Sequence, residues 1–294
     1  RHLMTKEEKT DRVLLGIPVL DRYNYGPGRK ELHLLMAPPK SGKTWWLIHV
    51  AKMALLQRWR VLYVTLEVGD WKIGARLLQS LYALTKNEGD ELIYLPEFKL
   101  GAPTRSPTKN EERLSKQGKS YIKNDLKQFL GVSTTKTRRS ALTNPGVLRN
   151  MARKLKELRV RKNLIIKEFP TGGLTDGALR AHLDSLEATE NFLPDLTIVD
   201  YPDLMKIEPS NYRIELGNTF KNLRGMAVER NMAMAVATQI NRQGSSKKIR
   251  TGVDVAEDYS KIAISDAVLS YNQTSSERDL GLARLYAVAG RDDR

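Results

Sequence analysis

Cysteine is absent from the 294-residue chain, which excludes a disulfide framework and a thiolate zinc site. Histidine is scarce. His2, His33, His49 and His182 lie far apart and form no H-E-x-x-H pair, so a metal site built from side-chain nitrogen is not expected. No apolar window approaches the roughly 20 residues that span a bilayer. The amino-terminal stretch Arg1-His2-Leu3-Met4-Thr5-Lys6 is polar and lacks the apolar centre of a signal peptide. These absences lead us to expect a cytoplasmic protein with no membrane partner. Residues 1–12 read as a tail, with Met4 a candidate start and Arg1 to Leu3 added residues. Apolar side chains still make up 40% of the chain, enough for one large α/β domain or two small ones.

Acidic residues are also in short supply, 34 against 49 Lys and Arg, for a net charge of +15. The imbalance is local. Residues 101–162 hold 17 bases, from Arg105 to Lys162, and only the acids Glu111, Glu112, Asp125 and Glu157. That window therefore carries most of the net charge, and the rest of the chain is near neutral. A concentrated basic segment suits a polyanionic partner; the plainer alternative is a solvated insertion without a partner.

Apolar runs of strand length recur between helix-length segments. Strands are expected at Leu32–Met36, Val61–Leu66, Leu164–Phe169, Leu196–Asp200, Met232–Thr238, Ala267–Tyr271 and Ala283–Ala289. Runs such as Val61-Leu62-Tyr63-Val64 are apolar on both faces, which points to a mostly parallel sheet covered by helices on both faces. Helices are expected at Trp45–Gln57, Trp71–Leu84, Asp176–Ala188 and Ile214–Asn231, with Thr175 or Asp176 as N-cap of the third. Residues 86–145 break the alternation and read as a basic insertion in a single domain over 13–294, with one helix through Glu111–Leu130. A basic amphipathic helix over Asn144–Lys162 follows, with Val147, Met151, Leu155 and Leu158 on its apolar side.

The strand at Leu32–Met36 runs into Ala37-Pro38-Pro39-Lys40-Ser41-Gly42-Lys43-Thr44 and then into a helix. Strand, small-residue loop, Gly-Lys-Thr and helix form the setting of a phosphate-binding P-loop. There Lys43 reaches the β- and γ-phosphates of ATP and the Thr44 hydroxyl holds Mg²⁺. Asp200 closes the apolar strand Leu196–Asp200 in the manner of a Walker B carboxylate, a second Mg²⁺ support. Glu67 ends the strand next after the loop-bearing helix, where a carboxylate can orient or deprotonate the attacking water; Asp203 is the alternative base. Gln239, at the end of another apolar strand, can sense the γ-phosphate and relay its state to the next loop. In that loop Arg242, Lys247, Lys248 and Arg250 suit contact with a phosphate backbone. Near the carboxyl end Arg291 can serve as an arginine finger in trans, with Arg294 the alternative. Trp45 and Trp46 read as core packing, and Tyr23 and Tyr25 as the border of an adenine pocket.

Together these segments resemble the ATPase domain of DnaB-type replicative helicases, within the RecA-like superfamily, and phage versions most of all. Gly16-Ile17-Pro18-Val19-Leu20-Asp21 is similar to that family's entry segment. The loop beginning at Ala37 is similar to its form of the P-loop, Thr65-Leu66-Glu67 to its second motif, Ile198-Val199-Asp200-Tyr201 to its Walker B segment and Gln239-Ile240-Asn241-Arg242 to its sensor motif. The resemblance implies a RecA-like core and Glu67 as catalytic base. It also implies a homo-oligomeric, hexameric ring with single-stranded or forked DNA as partner, and primase or other replisome proteins beyond it. DNA loops would fall near residues 208–213 and 243–261. The expected function is ATP-driven translocation on single-stranded DNA with duplex unwinding; the alternative is a RecA-like, DNA-dependent ATPase that coats or remodels DNA.

Overall fold

The computed structural model describes residues 11–87, 92–103, 105, 106, 108, 109, 112, 127–141, 143–157, 160–240 and 259–290. Seven strands form one sheet: β1 (Leu32–Ala37), β2 (Val61–Thr65), β5 (Leu164–Glu168), β6 (Leu196–Asp200), β7 (Ala233–Gln239), β8 (Ala267–Asn272) and β9 (Arg284–Gly290), in the order β5-β2-β6-β7-β1-β8-β9. All neighbours pair in parallel except β8 and β9, which are antiparallel. All seven expected strands are present, each within a residue or so of its expected bounds.

Side chains alternate across the sheet, so successive residues enter two different cores. On one side Leu35, Tyr63, Ile198, Ala233, Ala235 and Ala237 pack with the helices Lys43–Leu56 and Asp70–Tyr82. On the other, Leu34, Met36, Val64, Val199, Met234 and Val236 pack with the helices Asp176–Glu190 and Tyr212–Glu229. The central strands are fully buried, which is why their sequences read as continuous apolar runs. Thr175 is the N-cap of the Asp176–Glu190 helix, its hydroxyl accepting from the Ala178 N–H at 3.1 Å.

The entry segment is fastened to the phosphate-loop helix. His49 Nε2 lies 2.8 Å from the Leu15 carbonyl, and the Gln57 amide exchanges hydrogen bonds with both backbone groups of Leu14. Asp21 accepts from the Leu15 N–H at 2.6 Å, and Val13 and Leu15 are fully buried.

The basic segment departs from expectation. Leu92–Pro103 (β3) and Lys127–Arg138 (β4) form a separate antiparallel ribbon, from Leu92 opposite Arg138 to Pro103 opposite Lys127. Lys127 to Leu130 therefore belong to a strand, not to the helix expected over Glu111–Leu130; much of the rest of that range lies outside the described residues. The composition, rich in Lys, Ser, Thr and Gly, hides a pairing that only the two strands together make visible. At its foot Thr85 bridges Ala141, and its N–H donates to the Ser140 carbonyl at 3.1 Å. Among the described residues the two strands pack chiefly on each other. The following amphipathic segment forms two helices, Pro145–Glu157 and Val160–Asn163. Asn144 caps the first, accepting from Gly146 N–H at 2.9 Å. Met151 is buried, and Arg149, Arg153 and Lys156 are exposed.

Candidate nucleotide site

The carboxyl ends of β2, β6, β7 and β1 lie side by side. Thr65 is opposite Asp200, and Ala37 is opposite Gln239. This register brings residues from four distant stretches to one edge of the sheet, the edge where open α/β sheets bind ligands.

The loop from Ala37 through Pro38, Pro39, Lys40 and Ser41 is braced by the Ser41 hydroxyl, which donates to the Pro38 carbonyl at 2.6 Å. Gly42 has φ +108, a conformation side chains rarely adopt. The Lys43–Leu56 helix starts directly after it, with the Trp46 N–H donating to the Gly42 carbonyl at 3.0 Å. The amino end of this long helix thus faces the sheet edge, a setting that favours an anion.

Lys43 is 7% exposed. Its ammonium donates to Gln239 Oε1 at 3.3 Å and lies 4.3 Å from the centre of the Tyr201 ring. The Tyr201 hydroxyl donates to the same Gln239 oxygen at 3.4 Å. Burial lowers the Lys43 pKa, opposed by the charges of Glu67, Asp203 and Asp200. An anion placed here would offset that desolvation.

Asp200 is fully buried, and burial raises its pKa. Hydrogen bonding from Thr44 and from the Tyr63 hydroxyl, 3.0 Å from Oδ2, works the other way. Among the described residues its Oδ1 has no hydrogen-bond partner. A buried carboxylate with one oxygen unpaired beside a P-loop threonine is a fit for a divalent cation and its water shell.

Glu67 follows β2, is exposed, and is close enough for its charge to act on Lys43, Asp200 and Tyr201. The Tyr201 hydroxyl feels the same charges. Burial first, then Glu67, Asp203 and Asp200, push its pKa up to about 12. The phenol therefore stays protonated and remains a hydrogen-bond donor to Gln239.

Beside the loop lies an open cavity of about 470 Å³, bordered by Lys40, Gly42, Trp45, Tyr271, Gln273 and Arg278. Its aromatic walls correct one expectation. Trp46 is core, but Trp45 is 46% exposed, with the Arg76 guanidinium 5.5 Å from its ring centre. Tyr25 is buried with the entry segment, and neither Tyr23 nor Tyr25 borders this cavity.

The sequence reading missed Tyr63 as a partner of Asp200. It also missed the roles of Tyr271 and Tyr201. The first depends on β2 lying next to β6, which no local pattern announces; Tyr201 stands in the expected Walker B segment, but its contact with Lys43 joins two distant stretches and does not show in the sequence. Arg242, Lys247, Lys248, Arg250, Arg291 and Arg294 lie outside the described residues.

A replicative helicase of Enterobacteria phage T4, described as DnaB-like, is 29% identical to this chain over 128 residues, 41% of the chain and 26% of the relative. The chain is a relative of the DnaB-like replicative helicases. The matched stretch is about a quarter of that relative's length. No family model matches the chain. Two solved structures share the fold. One, an ATPase domain, has a TM-score of 0.63 at 15% identity, covering 96% of this chain and 84% of its own. The other, a DnaB-like replicative helicase described with its primase interactions, has a TM-score of 0.62 at 16% identity and covers 95% and 57% respectively. The mostly parallel sheet with helices on both faces is the RecA-like ATPase fold of the DnaB-like helicases.

Proposed function

We propose that this chain is the ATP-driven motor of a replicative DNA helicase. One observation carries the reading: Lys43, Thr44, Glu67, Asp200 and Gln239, scattered through the sequence, converge on one sheet edge in a relative of the DnaB-like helicases. ATP would lay its phosphates over the loop from Ala37 to Thr44, at the helix amino end. Lys43 would then leave Gln239 for the β- and γ-phosphate oxygens. Thr44 and Asp200 are the residues that would hold Mg²⁺, which when bound neutralises charge on the phosphates. Glu67 orients a water and takes its proton as the oxygen attacks the γ-phosphorus, with ADP as leaving group. Asp203 is less suited to that task, because its Oδ1 already accepts from Thr238 and Lys261. Gln239, released by Lys43, becomes free to contact the γ-phosphate. Trp45 and Tyr271 give the base a place to stack.

The DNA-facing assignments extend the same reading. Arg242, Lys247, Lys248 and Arg250 would contact the phosphate backbone of single-stranded DNA. The basic ribbon, inserted within the single domain over 13–294, and the exposed Arg149, Arg153 and Lys156 would engage the forked duplex. A two-stranded ribbon has the dimensions of the major groove. Subunits would assemble as a hexameric ring, with Arg291 reaching a neighbour's γ-phosphate and primase as a further partner.

The test is unwinding of a forked duplex with ATP and Mg²⁺ beside a Lys43→Ala control. Strand separation absent from the control supports the helicase. DNA-stimulated hydrolysis without unwinding would favour an ATPase that coats or remodels DNA, and no hydrolysis at all would overturn the assignment of the site.

A further inference from the structure

A buried charged cluster sits behind the phosphate end of the site and has no part in the steps above. Lys261 belongs to the Tyr259–Ile264 helix, and its side chain is 3% exposed. Its ammonium donates to Asp203 Oδ1 at 2.8 Å and to Thr238 Oγ1 at 2.9 Å. Thr238 donates to the same Asp203 oxygen at 2.9 Å. The Phe220 ring centre is 5.4 Å from the ammonium. Three segments meet in this way: the turn after β6, the last residues of β7, and the helix that opens at Tyr259.

Burying an ammonium and a carboxylate is costly, and an apolar filling of the same volume is often at least as stable. What the polar link adds is a fixed placement of the parts it joins. Asp203 stands two residues after Tyr201, and Thr238 immediately precedes Gln239. Tyr201 and Gln239 both touch Lys43. Lys261, with the Thr238–Asp203 bond, therefore ties together from behind the two segments that carry these groups.

We propose that Lys261 is a positioning residue for ATP hydrolysis: by pinning Asp203 to Thr238 it fixes Tyr201 and Gln239 against the P-loop. This rests on the ATPase reading above. The consequence is kinetic. A group held slightly out of place near the transferred phosphoryl lowers the rate of the chemical step more than it weakens nucleotide binding.

The experiment compares wild type, Lys261→Met and the double variant Asp203→Asn/Lys261→Met in ATP turnover, nucleotide affinity and melting temperature. Met keeps most of the side-chain volume, and the double variant leaves no orphaned buried carboxylate, so it stays informative if Lys261→Met fails to fold. Turnover in the double variant is expected to fall about 10- to 100-fold, with nucleotide affinity and melting close to wild type. Turnover within about twofold of wild type in the double variant would mean that Lys261 only neutralises Asp203, and would overturn the proposal. An equal loss of nucleotide binding and turnover would also overturn it, marking a structural role. Absence of hydrolysis in wild type itself would refute the ATPase reading instead, so the two failures are distinct.

Discussion

At the scale of single residues, the site is a set of charges whose environments differ sharply. Lys43 is buried and held by an amide and an aromatic face, so Lys43→Ala should abolish ATP turnover, an outcome checked by phosphate release. Glu67 is exposed at the same edge. Glu67→Gln removes the proton acceptor but not the phosphate cradle, so nucleotide binding should persist while hydrolysis falls by about 10²- to 10⁴-fold; fluorescent-nucleotide titration beside a turnover assay separates the two. His33 provides a test of stability. It is fully buried in β1, and burial lowers its pKa from 6.5 to about 4. The unfolded chain therefore binds the proton more readily. Stability due to the neutral ring is complete above pH 6.5, declines as pH falls, and stops declining below about 4. Between pH 7.5 and pH 5 the loss should be about 2 kcal/mol. Urea melts of His33→Val should show a flatter pH dependence over that range.

At the scale of elements, two features hold the layers in place and one stands apart. Asp266, at the entry to β8, accepts from the Leu32 N–H at 2.9 Å and takes two bonds from Arg224 of the Tyr212–Glu229 helix, at 2.9 and 3.0 Å. Its carboxylate is 6% exposed. Arg224→Ala would remove two charge-assisted hydrogen bonds from that buried carboxylate, and should cost about 3 kcal/mol in a denaturant melt. The ribbon β3–β4 is a different case, since it packs chiefly on itself. Replacing residues 92–138 by a short Gly-Ser linker should leave the melting temperature of the core within a few degrees, because the buried cores on both faces of the large sheet are untouched. The same deletion should weaken duplex binding and reduce the dependence of log affinity on log salt, as fewer phosphates are neutralised; anisotropy titrations at several salt concentrations measure both. The seven strands were legible in the sequence because each is an apolar run closed by polar residues. The ribbon was not, because β3 is interrupted by Pro96 and Gly101, β4 is mostly polar, and the two find their register only in each other, from Leu92 opposite Arg138 onward.

At the scale of the whole molecule, β9 is the edge strand at the end of the sheet remote from β5, and the proposed finger, Arg291, is the next residue in the sequence after it. If Arg291 acts in trans, mixing Arg291→Ala with wild type should poison activity more steeply than the fraction of variant. Activity strictly proportional to the wild-type fraction would place the arginine within its own subunit. Size measurements with and without nucleotide would show whether ATP between subunits drives assembly, since any ligand bound at an interface favours the assembled form.

The sequence by itself determined which chain segments become the sheet, and it marked Lys43, Thr44, Asp200, Glu67 and Gln239, because each stands at the end of an apolar run beside a local signal such as Gly42-Lys43-Thr44. Those signals are short-range and survive without any knowledge of neighbours. Only the tertiary structure decided that β2 lies beside β6 and β7 beside β1. From that order follow Tyr63 on Asp200, Tyr201 on Lys43, and Lys261 on both Asp203 and Thr238. Strand order is set by how helices and side chains fill the two cores together, a property of packing between distant segments that no local stretch of sequence contains.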